Sequence, residues 1–136
     1  MNNGIYLHEE EKEAAPTDFC IGAACYPEKH PEALNLKTDI KYLKDKVDAG
    51  AEYLITQMFY DNQVYFKFVE MCRENGIHIP IIPGLKPITR LTHLSFIPKI
   101  FKVDLPDDLA VALIKCKSNE DVKEVGVEWA LSLIHI

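Results

Sequence analysis

Three short apolar segments separated by helix-like stretches constrain this chain more than any other feature. Phe19-Cys20-Ile21-Gly22-Ala23-Ala24, Tyr53-Leu54-Ile55-Thr56-Gln57-Met58-Phe59 and Ile79-Pro80-Ile81-Ile82-Pro83-Gly84 are apolar along most of their length. Strands covered on both faces must be so. Their centres near Ile21, Ile55 and Ile81 lie 34 and 26 residues apart, which leaves room for one helix in each gap. Consecutive parallel βαβ units with right-handed crossovers are the expected result. Pro80 must then stand at the start of its strand, or where no ladder donor is required.

The gaps carry the matching periodicity. Leu36, Ile40, Leu43 and Val47 recur as one stripe of an amphipathic helix, and Gly50 suits its C-terminal cap. Tyr65, Phe68, Val69 and Cys72 mark a second helix over about residues 62–74, ended by Asn75-Gly76. Beyond Pro87, residues 91–101, 106–116 and 120–129 read as helices, with Asp107 and Asp108 opening the middle one. Residues 1–18, with the acidic run Glu9-Glu10-Glu11, read as a polar N-terminal loop segment. Residues 19–130 form one α/β domain, and 131–136 an atypical tail. Three parallel strands cannot close a barrel and leave two apolar sheet edges open. Further chain or a partner is expected to cover them.

Composition narrows the function classes. Fifteen Lys and Arg stand against twenty-one Asp and Glu, a net charge of −6, with no basic stripe. Nucleic acid is therefore not an expected partner. Lys37, Lys41, Lys44 and Lys46 alternate with acids on one helix, as on a solvated face. Cys20, Cys25, Cys72 and Cys116 form no C-x-x-C pair, and the five histidines are scattered. Buried free thiols, no zinc site and a reducing cytoplasmic setting follow. No apolar run approaches the roughly 20 residues of a membrane span.

Chemistry is expected in the loop after the first strand, Tyr26-Pro27-Glu28-Lys29-His30-Pro31-Glu32-Ala33, because α/β folds meet ligands at the carboxyl ends of their strands. Taken alone, Tyr26-Pro27 also reads as a turn and His30 as a solvated side chain. Gln57 is the polar exception near the end of an apolar strand. Burying its amide unpaired would cost about 1–3 kcal/mol. A glutamine satisfied by nearby backbone is the plain alternative.

This loop, followed in order by Asp39, Lys46-Val47-Asp48-Ala49-Gly50-Ala51, Ile55-Thr56-Gln57, Asp61 and Ile82-Pro83-Gly84, resembles the methylenetetrahydrofolate reductase family. The resemblance implies a partial (β/α)8 TIM barrel, equivalent to the fourth to sixth strands and some following helices. It implies FAD as cofactor and NADH or NADPH as hydride donor. The implied reaction reduces 5,10-methylenetetrahydrofolate to 5-methyltetrahydrofolate in one-carbon and methionine metabolism. A homo-oligomer is implied for the intact protein.

By the same resemblance, Tyr26, His30, Ala33, Asp39, Tyr42, Asp45 and Lys46 stand at FAD-contacting positions. Gln57 and His93 stand at folate-contacting ones, with Ile97 where relatives carry an aromatic residue and Phe96 beside it. The family's general acid and its flavin-tuning aspartate match nothing here, so no catalytic residue is assigned. The chain is expected to be an internal piece of the barrel, and alone to retain FAD weakly or not at all and to lack reductase activity. The alternative is a non-catalytic truncated barrel that binds flavin or pairs with another chain.

Overall fold

A computed structural model describes residues 15–135, so the acidic run at 9–11 lies outside the described residues. The elements run β1 (Gly22–Cys25), α1 (Leu36–Asp48), β2 (Tyr53–Thr56), α2 (Asn62–Glu74), β3 (Ile81–Ile82), α3 (His93–Phe101), α4 (Asp107–Ile114) and α5 (Asn119–Ile134). The strands form one parallel sheet in the order β1-β2-β3.

The strands are shorter than their apolar runs. β1 begins at Gly22, in register with Tyr53 at the start of β2, and Phe19 upstream of it is 72% exposed. Just before it, Glu52 N–H donates to the Ile21 carbonyl at 2.8 Å. β3 is bracketed by prolines: the Pro80 carbonyl accepts the Leu54 amide at 2.8 Å, and neither proline has a donor to give. The expectation of strands covered on both faces needs correction. Leu54 is wholly buried against the helices, whereas Ile55 and Ile82, paired in register on the other face, are 45% and 46% exposed. Ala24 extends that row, since it pairs with Ile55.

Asn35 caps α1 by accepting the Thr38 amide, and Asp61 caps α2 by accepting the Gln63 amide. Both helices end alike. Gly50 and Gly76 take positive φ of 112° and 75°. The next amide, of Ala51 or Ile77, reaches back to the Lys46 or Cys72 carbonyl. This double-bonded ending requires a residue tolerant of positive φ.

Two cores result. Cys25, Ile40, Leu43, Leu54, Phe68, Cys72, Ile77 and Ile81 fill the space between the sheet and α1–α2. Met58, Tyr60, Ile88, Ile97, Val103, Leu109, Leu113 and Val122 form the second, where α3, α4 and α5 pack over the segments that leave β2 and β3. Trp129 Nε1 donates to the Tyr60 carbonyl at 2.9 Å, and the Tyr60 hydroxyl donates to the Lys86 carbonyl at 2.8 Å. These bonds join α5 to both strand-end segments. α5 continues through Ile134 with Leu133 buried. Cys25 and Cys72 are buried free thiols, Cys116 is half-buried, and Cys20 is exposed, contrary to the expectation for it.

Candidate functional site

The loop leaving β1 is held by its own backbone and by α1. The Lys29 amide closes a turn onto the Tyr26 carbonyl, and the Ala33 amide bonds the His30 carbonyl. Lys29 Nζ donates to the Ala33 carbonyl at 2.7 Å. The His30 amide donates to Asp39 Oδ2 on the first turn of α1, at 2.7 Å. His30 Nδ1 accepts the Glu32 amide at 3.2 Å, so the neutral ring carries its proton on Nε2. The Tyr26 and His30 rings meet edge to face, 4.6 Å between centroids.

His30, Ala33, Asp39, Tyr42 and Lys46 line one open cavity of about 290 Å³, together with Glu32. Five of the seven residues singled out as cofactor contacts therefore share a wall, although the chain places them sixteen residues apart at the extremes. The helical spacing of Asp39, Tyr42 and Lys46 puts them on one face. Lys46 Nζ also reaches the Ala24 carbonyl at 3.3 Å, bridging α1 to the end of β1. Asp45 is not in this group. It lines the neighbouring surface groove with Lys41, Tyr42, Lys44 and Asn75.

Tyr26 also shares a cleft with Gln57. These two, with Pro27, Glu28, Lys29 and Met58, meet Phe101, Lys102 and Val103 around a narrow cleft of about 10 Å³. The Gln57 amide N–H donates to the Cys25 carbonyl at 2.8 Å, which carries the ladder one residue past β2. Its side-chain Oε1 accepts the Met58 amide at 3.1 Å, and its side-chain NH2 group is the donor left for a ligand. His93 lines neither cavity. Its Nδ1 accepts the Thr89 amide at 3.4 Å, and burial together with Lys86 and Arg90 lowers its pKa. Ile97 is wholly buried in the second core, whereas Phe96 is 50% exposed.

Glu28 was not singled out from the sequence. Its Oε2 accepts the Asp104 amide at 2.9 Å, from a residue 76 positions away. Burial pushes its pKa up to about 7, and the Asp104 and Asp61 carboxylates push the same way against the Asp104 hydrogen bond. No local periodicity could have pointed to it. The loop's density of polar residues was the only signal. Among the described residues, no cluster of three or more His, Cys, Asp or Glu is placed to hold a metal, and no helix is long and apolar enough to cross a membrane.

Parallel strands joined by helices, with polar loops gathered at the carboxyl ends of β1 and β2, define a partial (β/α)8 barrel. The family model for methylenetetrahydrofolate reductase matches residues 8–136, and the chain belongs to that family. It is 38% identical over 125 residues to methylenetetrahydrofolate reductase (NADH) 1 of Arabidopsis thaliana, covering 85% of this chain and 21% of that protein. It is 40% identical over 116 residues to a probable methylenetetrahydrofolate reductase (NADPH) of Caenorhabditis elegans, covering 85% of this chain and 18% of the relative. The chain thus spans about a fifth of these relatives. An uncharacterized protein from Clostridium thermocellum, described as binding two copies of 5-methyl-5,6,7,8-tetrahydrofolic acid, superposes with a TM-score of 0.64 at 24% identity. That match covers 87% of this chain and 41% of the other, and it speaks for the fold.

Proposed function

We propose that this chain supplies one wall of the flavin and folate site of a methylenetetrahydrofolate reductase barrel. The observation that carries the reading is the shared cavity of His30, Ala33, Asp39, Tyr42 and Lys46. Its donor set suits FAD. The Lys46 ammonium can neutralise phosphate, His30 Nε2–H and the Tyr42 hydroxyl can bond ribityl or phosphate oxygens, and Ala33 leaves room for close approach. Asp39 fixes the His30 backbone and has its second oxygen for a ribose hydroxyl. Tyr26 orients the His30 ring and lines the Gln57 cleft; a space of about 10 Å³ admits no more than a water, so the pterin acceptor that the Gln57 side-chain NH2 group would meet lies outside it.

FAD, when bound, supplies the redox chemistry, taking hydride from NADH or NADPH and passing it to the methylene group of the folate. The residues present bind and orient; none of them is assigned a proton-transfer step. Asp45 and His93 remain proposed contacts for cofactor and folate that require ligand arms reaching beyond the two cavities.

Titrating the chain into FAD and following flavin fluorescence tests the reading. Saturable quenching, weakened about tenfold by Lys46→Ala and by His30→Ala, is expected from the loss of one charged or neutral hydrogen bond each. Saturable quenching that is indifferent to both substitutions would refute it.

A second reading rests on the open sheet face. Ile55 and Ile82 are nearly half exposed there, in register with Ala24. A non-catalytic module that pairs through this face would be a stable dimer by light scattering, returned to monomer by Ile55→Lys.

A further inference from the structure

Among the described residues, two non-glycine positions have positive φ: Lys29 at 101° and Lys102 at 55°. They lie in different loops, one after β1 and one after α3, yet both line the cleft that holds Glu28. Strained backbone of this kind persists where its surroundings over-determine it. Between the two strained residues runs the bond from the Asp104 amide to Glu28 Oε2, the side-chain hydrogen bond that spans the longest stretch of sequence in the described structure. The same cleft is lined by Tyr26, whose ring meets that of His30, and by Phe101 and Val103 of the second core.

The geometry points to Glu28 as a positioning residue: by accepting the Asp104 amide, its carboxyl group ties the 26–33 loop to the α3–α4 connection and so sets where Tyr26 and His30 present their edges to a ligand. The link to a flavin rests on the function proposed above; the tether itself does not. A neutral carboxyl group suffices for the bond, because its carbonyl oxygen accepts as well. The groups facing it are mixed. Asp104 and Asp61 oppose its ionisation, while Lys29 and Lys102 line the same cleft, as does the Tyr26 ring. Burial is the largest influence on it and outweighs the Asp104 hydrogen bond, so the closed tether holds a proton that an open, solvated Glu28 would release. Raising the pH through neutrality therefore loosens the loop.

Amide hydrogen exchange on the whole chain, corrected for intrinsic rates, tests this at the Asp104 and His30 amides. Between pH 6 and pH 8 the parent should lose about tenfold in protection at Asp104. Glu28→Gln, which keeps an acceptor and cannot ionise, should hold protection within about threefold and show no pH slope. Glu28→Ala should lose about tenfold at both amides, the His30 loss showing that the loop itself has loosened. A pH-independent parent overturns the proposal, as does Glu28→Gln behaving like Glu28→Ala, or Glu28→Ala leaving His30 protected. Should Glu28→Ala fail to fold by circular dichroism, the contrast between parent and Glu28→Gln decides alone. FAD titration separates the two ideas. FAD affinity that is indifferent to both Lys46→Ala and His30→Ala removes the flavin reading and leaves the tether standing. Unchanged FAD affinity in a folded Glu28→Ala chain that has lost His30 protection overturns the positioning role.

Discussion

The backbone amide of His30 donates to the Asp39 carboxylate at 2.7 Å, so the acid on the first turn of α1 is a staple for the loop before it. Asp39 read from the sequence as a ligand contact; in the fold it first holds the residue that would make another contact. Asp39→Ala should weaken both loop and fold, by about 1.5–3 kcal/mol for loss of a hydrogen bond to a charged group. Asp39→Asn, which keeps an acceptor, should lose less than half of that. Urea unfolding of the three chains measures the difference, and equal losses in both variants would contradict the staple.

Trp129 ties α5 to the segment beyond β2 through its bond to the Tyr60 carbonyl. Trp129→Phe keeps most of the ring packing and removes the donor. A drop of about 1–2 kcal/mol in unfolding free energy is expected, because the carbonyl is left unpaired in a largely buried position. An unchanged urea midpoint would show that water replaces the indole without loss.

Thiol chemistry should separate the cysteines. Burial pushes Cys25 up to about 12 and Cys72 up to about 11, while Cys20 is exposed. Iodoacetamide at pH 8 should label Cys20 first and leave Cys25 and Cys72 unmodified until denaturant is added, since the thiolate is the nucleophile. Peptide mass spectrometry reads the order directly.

Glu28 should leave a signature in stability as well as in local exchange. Its folded pKa is raised from 4.5 to about 7, so the folded chain binds more protons than the unfolded one in that window. The sign follows: the favourable contribution is fully present below about pH 4.5 and is lost as pH rises through about 7. Thermal midpoints measured between pH 5 and pH 8 should fall in the parent more steeply than in Glu28→Gln. Parallel slopes would refute the assignment.

Gly126 in α5 is a close-approach position. A Cβ there would collide with the Ile88 carbonyl oxygen, so helix and loop must part to admit it. Gly126→Ala should destabilise the chain by about 1–3 kcal/mol despite alanine's better helix propensity. A stabilised variant in chemical denaturation would contradict the packing.

Much of the architecture is legible locally. The stripe Leu36, Ile40, Leu43 and Val47 marks α1, and Asn62 to Glu74 was read as α2 with its ending at Asn75-Gly76. These succeed because helix periodicity and caps are set by residues within one or two turns. The grouping of His30, Ala33, Asp39, Tyr42 and Lys46 was likewise within reach, since one loop and one helix carry all five. Strand lengths were overestimated because an apolar run is no longer a strand where its neighbour ends, as Phe19 shows.

The sequence by itself thus determined the order of strands and helices, the glycine endings of α1 and α2, and the family, all of them properties of short-range pattern and ordered motif. Tertiary structure alone decided which face of the sheet stays open at Ile55 and Ile82, that Tyr26 and Gln57 share a cleft with Phe101 and Val103, and that Glu28 reaches Asp104 across 76 positions. The physical reason is that burial and long-range hydrogen bonds depend on what packs opposite, and no periodicity within a segment encodes its partner.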